Sequence, residues 1–206
     1  MSYRRRDAFY LRAKAAGYRA RSAYKLAELD QRFRLLRPGD AVVDLGAWPG
    51  GWLQVALERV GAGGRVVGVD VTPVEPLPAS NLELVAGDVR DPAVIAAVRR
   101  RLGTAANVVL CDLAPKLTGV GTTDEARCAD LTDAVVRALP ALLRPGGRLL
   151  IKVFMGPSHG PTVERLRTLF ATVRAIRPQA TRGGSAEMYV VAAGFQPTDV
   201  CGQPVD

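Results

Sequence analysis

The hydrophobic positions of the chain form short uninterrupted runs, separated by longer stretches in which apolar residues recur every three or four positions. The first pattern is typical of strands buried on both faces, and the second of helices packed on a core. The alternation predicts an α/β fold, a doubly wound Rossmann-like sheet, mostly parallel, with helices on both faces. Strands are predicted at 41–45, 65–70, 82–88, 107–112, 148–154, 172–178 and 188–194, and helices at 22–36, 51–60, 91–102, 125–143 and 161–170.

The last two predicted strands, at 172–178 and 188–194, are too close in sequence for a full helix to lie between them. A parallel connection needs a crossover of about a dozen residues or more, usually a helix. One strand of the predicted sheet is therefore expected to run antiparallel.

The first long helix, predicted at 22–36, has one apolar face. Ser22 is predicted to cap its N-terminus. Lys25 lies on the flank of the apolar stripe, so its side chain is able to point inward. The stripe itself consists of Leu26, Leu29, Phe33 and Leu36.

Length and composition fit a single soluble domain. The 206 residues are 48% hydrophobic, which is enough for a sizeable core, and no run approaches the ~18 apolar residues of a membrane span. The N-terminal MSYRRRDAFY has no apolar stretch after its arginines, unlike a secretory signal. Cys111, Cys128 and Cys201 are odd in number and are not spaced like metal ligands. We therefore expect a reduced, cytoplasmic monomer with no metal and no membrane partner.

The positive charge is concentrated at the N-terminus. Residues 1–37 hold eleven Lys and Arg and three acidic residues, so this segment accounts for the whole formal charge of +8. A basic segment interleaved with aromatic residues favours a nucleic acid partner. We predict a basic arm at 1–21, a catalytic domain at 22–194 and a flexible tail at 195–206. The aromatic residues of the basic segment are Tyr3, Phe9, Tyr10, Tyr18 and Tyr24.

A glycine-rich turn, VVDLGAWPGGW (42–52), follows the first predicted strand. Gly46, Gly50 and Gly51 are predicted to let the backbone approach a ligand closely. The spacing matches neither a dinucleotide fingerprint nor a P-loop. Asp70 and Asp88 end the next two strands, where carboxylates are able to accept hydrogen bonds from a ribose and an adenine. The set favours S-adenosyl-L-methionine over the alternative of an ordinary tight turn with capping acids.

Four further residues predict a charged cluster at the carboxyl edge of the sheet. Lys152 lies inside a buried-type strand, where a lysine must be paired or neutral. Asp112 ends the strand expected beside it, Lys25 is able to point inward, and Glu187 precedes the last strand. Burial and a second positive charge both favour the neutral form of a lysine, which accepts a proton from a hydroxyl. Each residue alone has an ordinary alternative: Lys152 is able to extend to solvent from a strand end, and Glu187 to lie in a surface loop. For Lys25 taken alone, one more charge of the basic arm is the better interpretation.

Several blocks of the sequence together have a specific order and spacing: RARSAYKLAEL (19–29), VVDLGAWPGGW (42–52), GVDVTP (68–73), GDVRDP (87–92), CDLAPKLTG (111–119), LLRPGGRLLIKVFMG (142–156) and SAEMYVV (185–191). Over the region that contains these blocks, from about residue 17 to residue 194, the chain resembles the FtsJ/RrmJ family of RNA ribose 2′-O-methyltransferases.

The resemblance implies a seven-stranded methyltransferase sheet with an antiparallel final strand. It implies transfer of a methyl group from S-adenosyl-L-methionine to a ribose 2′-hydroxyl of RNA. In the bacterial branch, which this short chain is most similar to, the acceptor is a uridine of large-subunit ribosomal RNA; other branches act on transfer RNA or messenger RNA caps. The implied catalytic tetrad is Lys25, Asp112, Lys152 and Glu187. The implied donor contacts are Gly50, Trp52, Asp70, Asp88 and Asp112.

The chain departs from the family pattern at four positions, one of which is Leu113 in place of a methionine. Trp48 stands where the family usually has alanine, Lys116 replaces an asparagine, and Met155 replaces a glutamine. These changes are expected to affect the choice of substrate base more than the chemistry.

Other functions fit parts of the sequence. Base methylation is disfavoured, because amino-group enzymes carry an Asn/Asp-Pro-Pro-aromatic motif where this chain has Asp112-Leu113-Ala114-Pro115. Cytosine-C5 RNA enzymes place a cysteine at the position of Lys116. A non-catalytic ribosome-assembly module with a methyltransferase fold remains an alternative. The basic arm disfavours a small-molecule O-methyltransferase.

Overall fold

The computed structural model of the protein describes residues 8–115, 118–119, 121–181 and 184–197. Within these ranges the helices are α1 (Ala8–Ala15), α2 (Ala23–Phe33), α3 (Gly51–Val60), α4 (Pro92–Leu102), α5 (Gly121–Leu142) and α6 (His159–Leu169). The strands are β1 (Ala41–Leu45), β2 (Arg65–Asp70), β3 (Leu82–Ala86), β4 (Ala106–Cys111), β5 (Leu143–Phe154), β6 (Phe170–Ile176) and β7 (Glu187–Phe195). Lys116, the first seven residues and the tail from residue 198 lie outside the described residues.

The strands form one seven-stranded sheet in the order β3-β2-β1-β4-β5-β7-β6. Every described pair is parallel except those of β7, which runs antiparallel to both β5 and β6. The predicted fold class is therefore confirmed, including the single antiparallel strand. Because the order reverses between β1 and β4, their carboxyl ends border a crevice where such sheets bind ligands.

Two apolar layers cover the sheet. Successive residues of β1 point to opposite faces, so Val43 and Leu45 join the layer under α4, α5 and α6, while Val42 joins the layer under α2 and α3. All five residues of β1 are buried. Complete burial of one such aliphatic side chain stabilises the fold by roughly 1.5–3 kcal/mol. The central strands therefore give the residues at their carboxyl ends a rigid base.

The helix predicted at 22–36 is shorter in the structure. Ser22 makes no capping hydrogen bond through its side chain, and α2 ends at Phe33 because Arg34 adopts a left-handed conformation with φ 51°. The backbone N–H of Leu36 then donates to Asp30 Oδ1 at 2.8 Å. This turn lets the last apolar residue of the stripe reach the core without a continuing helix.

β5 begins earlier than predicted. Ala106 of β4 pairs with Leu143 of β5, but Val108, two residues further along β4, pairs with Arg148. The turn expected at 144–147 is thus an excursion within β5, and the regular ladder begins at Arg148, where the strand was predicted.

Part of the predicted arm packs on the domain. Helix α1 buries Ala13, and the ring of Phe9 lies 6.0 Å from that of Tyr24 on α2. The guanidinium of Arg12 lies 5.0 Å from the Tyr24 ring centre. Tyr10, in contrast, is exposed. Among the described residues, no helix has both the length and the apolar character needed to cross a membrane.

Candidate active site

Asp112 and Lys152 meet at the carboxyl edge of two neighbouring strands. β4 and β5 pair in register at Cys111 and Ile151, so the next residue of each strand reaches the same level of the sheet. Lys152 Nζ lies 3.2 Å from Asp112 Oδ1 and donates to the Asp112 backbone carbonyl at 2.6 Å. The lysine is 9% exposed. The contact expected from the strand order is therefore present.

Lys25 and Glu187 form a second buried pair. Lys25 projects from the first turn of α2, and Glu187 is the first residue of β7. Their side chains make a direct charged hydrogen bond across 162 positions of sequence. The amphipathic helix α2 docks beside the sheet and thus places Lys25 at the same edge where β5 places Lys152.

Tyr189 connects the two pairs, and sequence reasoning missed it. Its hydroxyl donates to Asp112 Oδ1 at 2.6 Å and accepts a 3.3 Å hydrogen bond from Lys25 Nζ. Burial raises the pKa of the Tyr189 phenol well above its usual value, and the charges of Asp112 and Glu187 raise it further. A signal was available, because a tyrosine inside a buried strand needs a partner for its hydroxyl. Residues two apart on a strand also share a face, which places Tyr189 with Glu187.

The resulting network, called here the edge cluster, runs from Glu187 through Lys25, Tyr189 and Asp112 to Lys152. The two lysines are bridged by the phenol and the carboxylate. Glu187 contacts Lys25, which leaves Asp112 as the charged partner of Lys152. Such an arrangement holds an amine in a nearly dry site, with its donors directed at fixed oxygens.

A cavity of about 350 Å³ adjoins the edge cluster between the ends of β2, β3 and β4. Asp70 and Asp88 both line it, as their positions predicted, and apolar walls come from Val71, Val89 and Leu113. The volume lies within the ~300–1,000 Å³ typical of small-ligand sites. Two acceptors at the rim of an apolar slot suit a planar base joined to a ribose.

The two rim carboxylates are already oriented by the protein. Asp70 accepts hydrogen bonds from the backbone N–H groups of Trp48 at 3.0 Å and Thr72 at 2.8 Å. Arg90 binds Asp88 with contacts between 2.6 and 3.1 Å, and these hydrogen bonds lower the Asp88 pKa. A carboxylate has about four lone-pair sites, so Asp70 retains capacity for a ligand hydroxyl. Each oxygen of Asp88 already accepts two contacts from Arg90, so a ligand amine would replace one of them.

The glycines of the turn have a different immediate role from the one expected. A Cβ at Gly46 would lie 2.9 Å from the backbone nitrogen of Leu113, and its φ is +89°. A Cβ at Gly50 would meet the Arg19 side chain at 3.0 Å, and one at Gly51 would meet Ala20 at 3.1 Å. The close approach is thus to other parts of the chain. Their contact with a donor stays a prediction.

Trp52 also has a structural role. It is 3% exposed, its indole N–H donates to the Ser22 carbonyl at 2.8 Å, and its ring lies 5.9 Å from that of Tyr189. The Trp52 side chain thus contacts both the residue that precedes α2 and the Tyr189 ring of the edge cluster. Its predicted donor contact remains untested.

Asp44 is a second residue that sequence reasoning did not single out as a site residue. It is fully buried in β1, and its two carboxylate oxygens lack a hydrogen-bond partner among the described residues. Burial raises its pKa well above the usual value, with Asp112 and Asp70 adding to the effect. Burial therefore favours the neutral form of this carboxyl.

A larger groove of about 460 Å³ lies between α4 and α5. Arg90, Arg99 and Arg137 line it together with apolar residues such as Ile95 and Ala138. The lining includes neither Asp70 nor Asp88, whereas the smaller cavity is lined by both and by Leu113, which directly follows Asp112. The smaller cavity is therefore the better candidate site.

Comparison with known proteins agrees with this geometry. The model of the FtsJ-like methyltransferase family matches residues 18–195. The ribosomal RNA large subunit methyltransferase E of Methanobrevibacter smithii is 41% identical over 94% of this chain and 92% of its own length. That of an Azoarcus species is 45% identical over 92% of each chain. A crystal structure assigned as a ribosomal RNA methyltransferase from Plasmodium falciparum superposes with a TM-score of 0.76 and 25% identity, covering 86% of this chain and 98% of that one. The chain belongs to the FtsJ-like methyltransferase family.

Proposed function

We propose that this protein transfers a methyl group from S-adenosyl-L-methionine to the ribose 2′-hydroxyl of a uridine in large-subunit ribosomal RNA. Lys152 accepts the hydroxyl proton, and Asp112 orients it. Lys25 and Glu187 complete the catalytic set. Gly46, Gly50, Gly51, Trp52, Asp70, Asp88 and Asp112 form the donor site.

The observation that carries the proposal is the position of the edge cluster beside the cavity. Lys152 Nζ makes two short contacts to one residue, Asp112, which directly follows β4. Leu113, the next residue, lines the cavity. A ligand in that cavity would therefore lie next to the only amine of the described residues that contacts Asp112 directly.

The donor fits the residues that surround the cavity. Asp70 and Asp88 offer acceptors to a ribose and an exocyclic amine, and the apolar walls suit the two faces of adenine. The reactive sulfonium would project toward Asp112, where a negative charge stabilises it. When bound, the donor supplies an electrophilic methyl group.

The mechanism assigned to the chain is one of alignment and proton removal. The 2′-oxygen forms a bond to the methyl carbon as the carbon–sulfur bond breaks, and the hydroxyl proton passes to Lys152 Nζ. An ammonium has no lone pair, so Lys152 must be in its amine form at that moment. The sulfonium nearby favours the amine by like-charge repulsion. Tyr189 and Asp112 keep Nζ in place, which contributes to rate through orientation.

RNA is proposed as the acceptor because of charge and the names of the relatives. The segment from Ala8 to Ala27 carries five Lys and Arg and no acidic residue. Such a segment would bind a phosphate backbone with strong salt dependence. The similar proteins are named as methyltransferases of large-subunit ribosomal RNA. Only RNA offers a ribose 2′-hydroxyl.

The test uses two substitutions of Lys152. Lys152→Ala removes the amine, and Lys152→Arg keeps a positive group that cannot be deprotonated in proteins. Each variant is assayed with labelled S-adenosyl-L-methionine and unmodified large-subunit RNA, and affinity for S-adenosylhomocysteine is measured separately. We expect both variants to lose turnover and to keep donor-site affinity. Activity of Lys152→Arg comparable to the wild type would reject the role of base.

Product analysis separates the alternatives. Digestion of the methylated RNA to nucleosides should yield 2′-O-methyluridine. A methylated base would instead support base methylation, and transfer to transfer RNA alone would place the acceptor in that class. Absence of transfer from the wild type to free RNA and to ribosomal subunits would favour the non-catalytic assembly module.

A further inference from the structure

We infer, resting on the proposed function, that the side chain of Trp48 is a stacking platform for a base of the RNA strand that flanks the methyl-accepting nucleotide. Trp48 is 57% exposed, although it lies in the turn between two buried elements. Isolated exposed apolar residues are ordinary on protein surfaces, but a group on one edge indicates a contact surface. The large apolar residues exposed among the described part of the chain include Trp48, Val71 and Met155, which follow β1, β2 and β5 at the carboxyl edge.

The backbone holds Trp48 in place without packing its indole. The N–H of Trp48 donates to Asp70 Oδ2 at 3.0 Å, and that of Ala47 donates to the Val69 carbonyl at 3.0 Å. On the other side, Arg19 donates to the Pro49 carbonyl at 3.4 Å and to the Pro76 carbonyl at 2.8 Å. An aromatic ring on a fixed backbone binds a partner with little loss of conformational entropy.

The indole lies outside the donor cavity. Val71 and Asp70 line that cavity, whereas Trp48 is absent from its wall. Trp48 therefore stands beside the proposed adenosine site, and its open face is directed to solvent. This position favours a base of the acceptor strand over the adenine of the donor.

The distance to the edge cluster suits a nearby nucleotide. The Trp48 N–H binds Asp70 at the end of β2, and β2 lies three strands from β5, so Trp48 and Lys152 lie about three strand spacings apart, roughly 14 Å along the sheet edge. Stacked nucleotides advance about 3.4 Å each along one strand. The base on Trp48 would then lie about four nucleotides from the acceptor.

Arg19 supplies a positive charge beside the Trp48 turn, which favours a polyanion as the partner. The guanidinium of Arg19 adjoins the Gly50 turn and donates hydrogen bonds to the neutral backbone carbonyls of Pro49, Glu75 and Pro76. No ion pair within the described ranges involves Arg19. An exposed aromatic face beside uncompensated positive charge is typical of single-stranded nucleic acid sites.

The experiment compares Trp48→Leu, Trp48→Phe and the wild type. Leucine keeps an apolar side chain but has no aromatic face, and phenylalanine keeps the face. Affinities for a twelve-nucleotide oligouridylate and for S-adenosylhomocysteine are measured, followed by KM and kcat on unmodified large-subunit RNA. Acrylamide quenching of tryptophan fluorescence, with and without the oligonucleotide, reports on Trp48, because the only other tryptophan, Trp52, is buried.

Trp48→Leu should weaken oligonucleotide binding by about 5- to 150-fold and raise the KM for RNA, since one base stack is lost. Its kcat and its affinity for S-adenosylhomocysteine should stay within twofold of the wild type, and Trp48→Phe should recover most of the RNA affinity. The oligonucleotide should protect Trp48 from acrylamide. RNA binding by Trp48→Leu equal to the wild type, or protection of Trp48 by S-adenosylhomocysteine alone, would overturn the inference. If Trp48 binds the RNA but the wild type forms no 2′-O-methyl product, the proposed function fails and the stacking site stands.

Discussion

Removal of the Tyr189 hydroxyl tests whether the edge cluster works as one unit. Tyr189→Phe deletes a 2.6 Å hydrogen bond to Asp112 and a weaker 3.3 Å one from Lys25. The ring contact with Trp52 is kept. Each charged neighbour also retains a partner, because Lys152 still lies 3.2 Å from Asp112 and Lys25 still binds Glu187.

The magnitude follows from the stronger of the two bonds. A hydrogen bond to a charged group contributes about 1.5–3 kcal/mol, and no charge is left unpaired, so the lower end applies. If that energy serves to align Lys152 in the transition state, about 1.5 kcal/mol corresponds to a roughly tenfold fall in kcat. Donor affinity should change by less than twofold, since Tyr189 does not line the cavity.

Single-turnover methyl transfer to unmodified large-subunit RNA measures the rate, and titration with S-adenosylhomocysteine measures donor affinity. Asp40→Asn is a suitable control, because it destabilises the fold at a buried site away from the edge cluster. At temperatures well below its unfolding transition, this variant should keep the wild-type kcat. A Tyr189→Phe rate within twofold of the wild type would refute the view that the phenol positions the catalytic groups. A similar loss of kcat in the control would attribute the effect to stability alone.

Two further predictions concern stability. Arg148 donates to both oxygens of Asp40 at 2.8 and 3.0 Å in a buried pair, so Asp40→Asn should lower the free energy of unfolding by about 3–5 kcal/mol in urea denaturation; a loss below 1 kcal/mol would contradict this. The raised pKa of buried Asp44 means that the folded state holds a proton that the unfolded state releases above pH ~4, so this group destabilises the fold increasingly as pH rises toward its folded pKa. Asp44→Asn should therefore be more stabilising at pH 8 than at pH 5, and an equal effect at the two pH values would show that the carboxyl is already ionised in the fold at pH 5.

Local sequence patterns determined most of the fold. The bounds predicted for β1, β2 and α3 agree with the structure at every residue. Burial on both faces, and clear turn residues at each end, leave few alternatives for such segments. The end of α2 was misplaced because the apolar stripe continues through Leu36, whereas Arg34 leaves the helix. An apolar stripe indicates which residues are buried, and Leu36 is buried although the chain is no longer helical there.

The site was predictable where strand order alone determines proximity. Asp112 and Lys152 end up together because adjacent parallel strands bring consecutive carboxyl ends to one edge. Tyr189 and Asp44 were missed for a common reason, since the significance of each depends on what surrounds its polar atoms in three dimensions. For the glycines of the turn, the spacing indicated a close approach to the backbone but not the group that makes it. The structure shows that Leu113, Arg19 and Ala20 lie close to these glycines.

The late position of β7 in the chain has a consequence for the timing of synthesis. Lys25 emerges early from the ribosome, but Glu187 and Tyr189 are added 162 and 164 positions later. At roughly 5–20 residues per second, the interval between them is on the order of ten to thirty seconds. Throughout that period the nascent chain displays its basic arm but lacks at least two of the five residues of the edge cluster. A newly made molecule would therefore acquire affinity for polyanions before it acquires a complete active site.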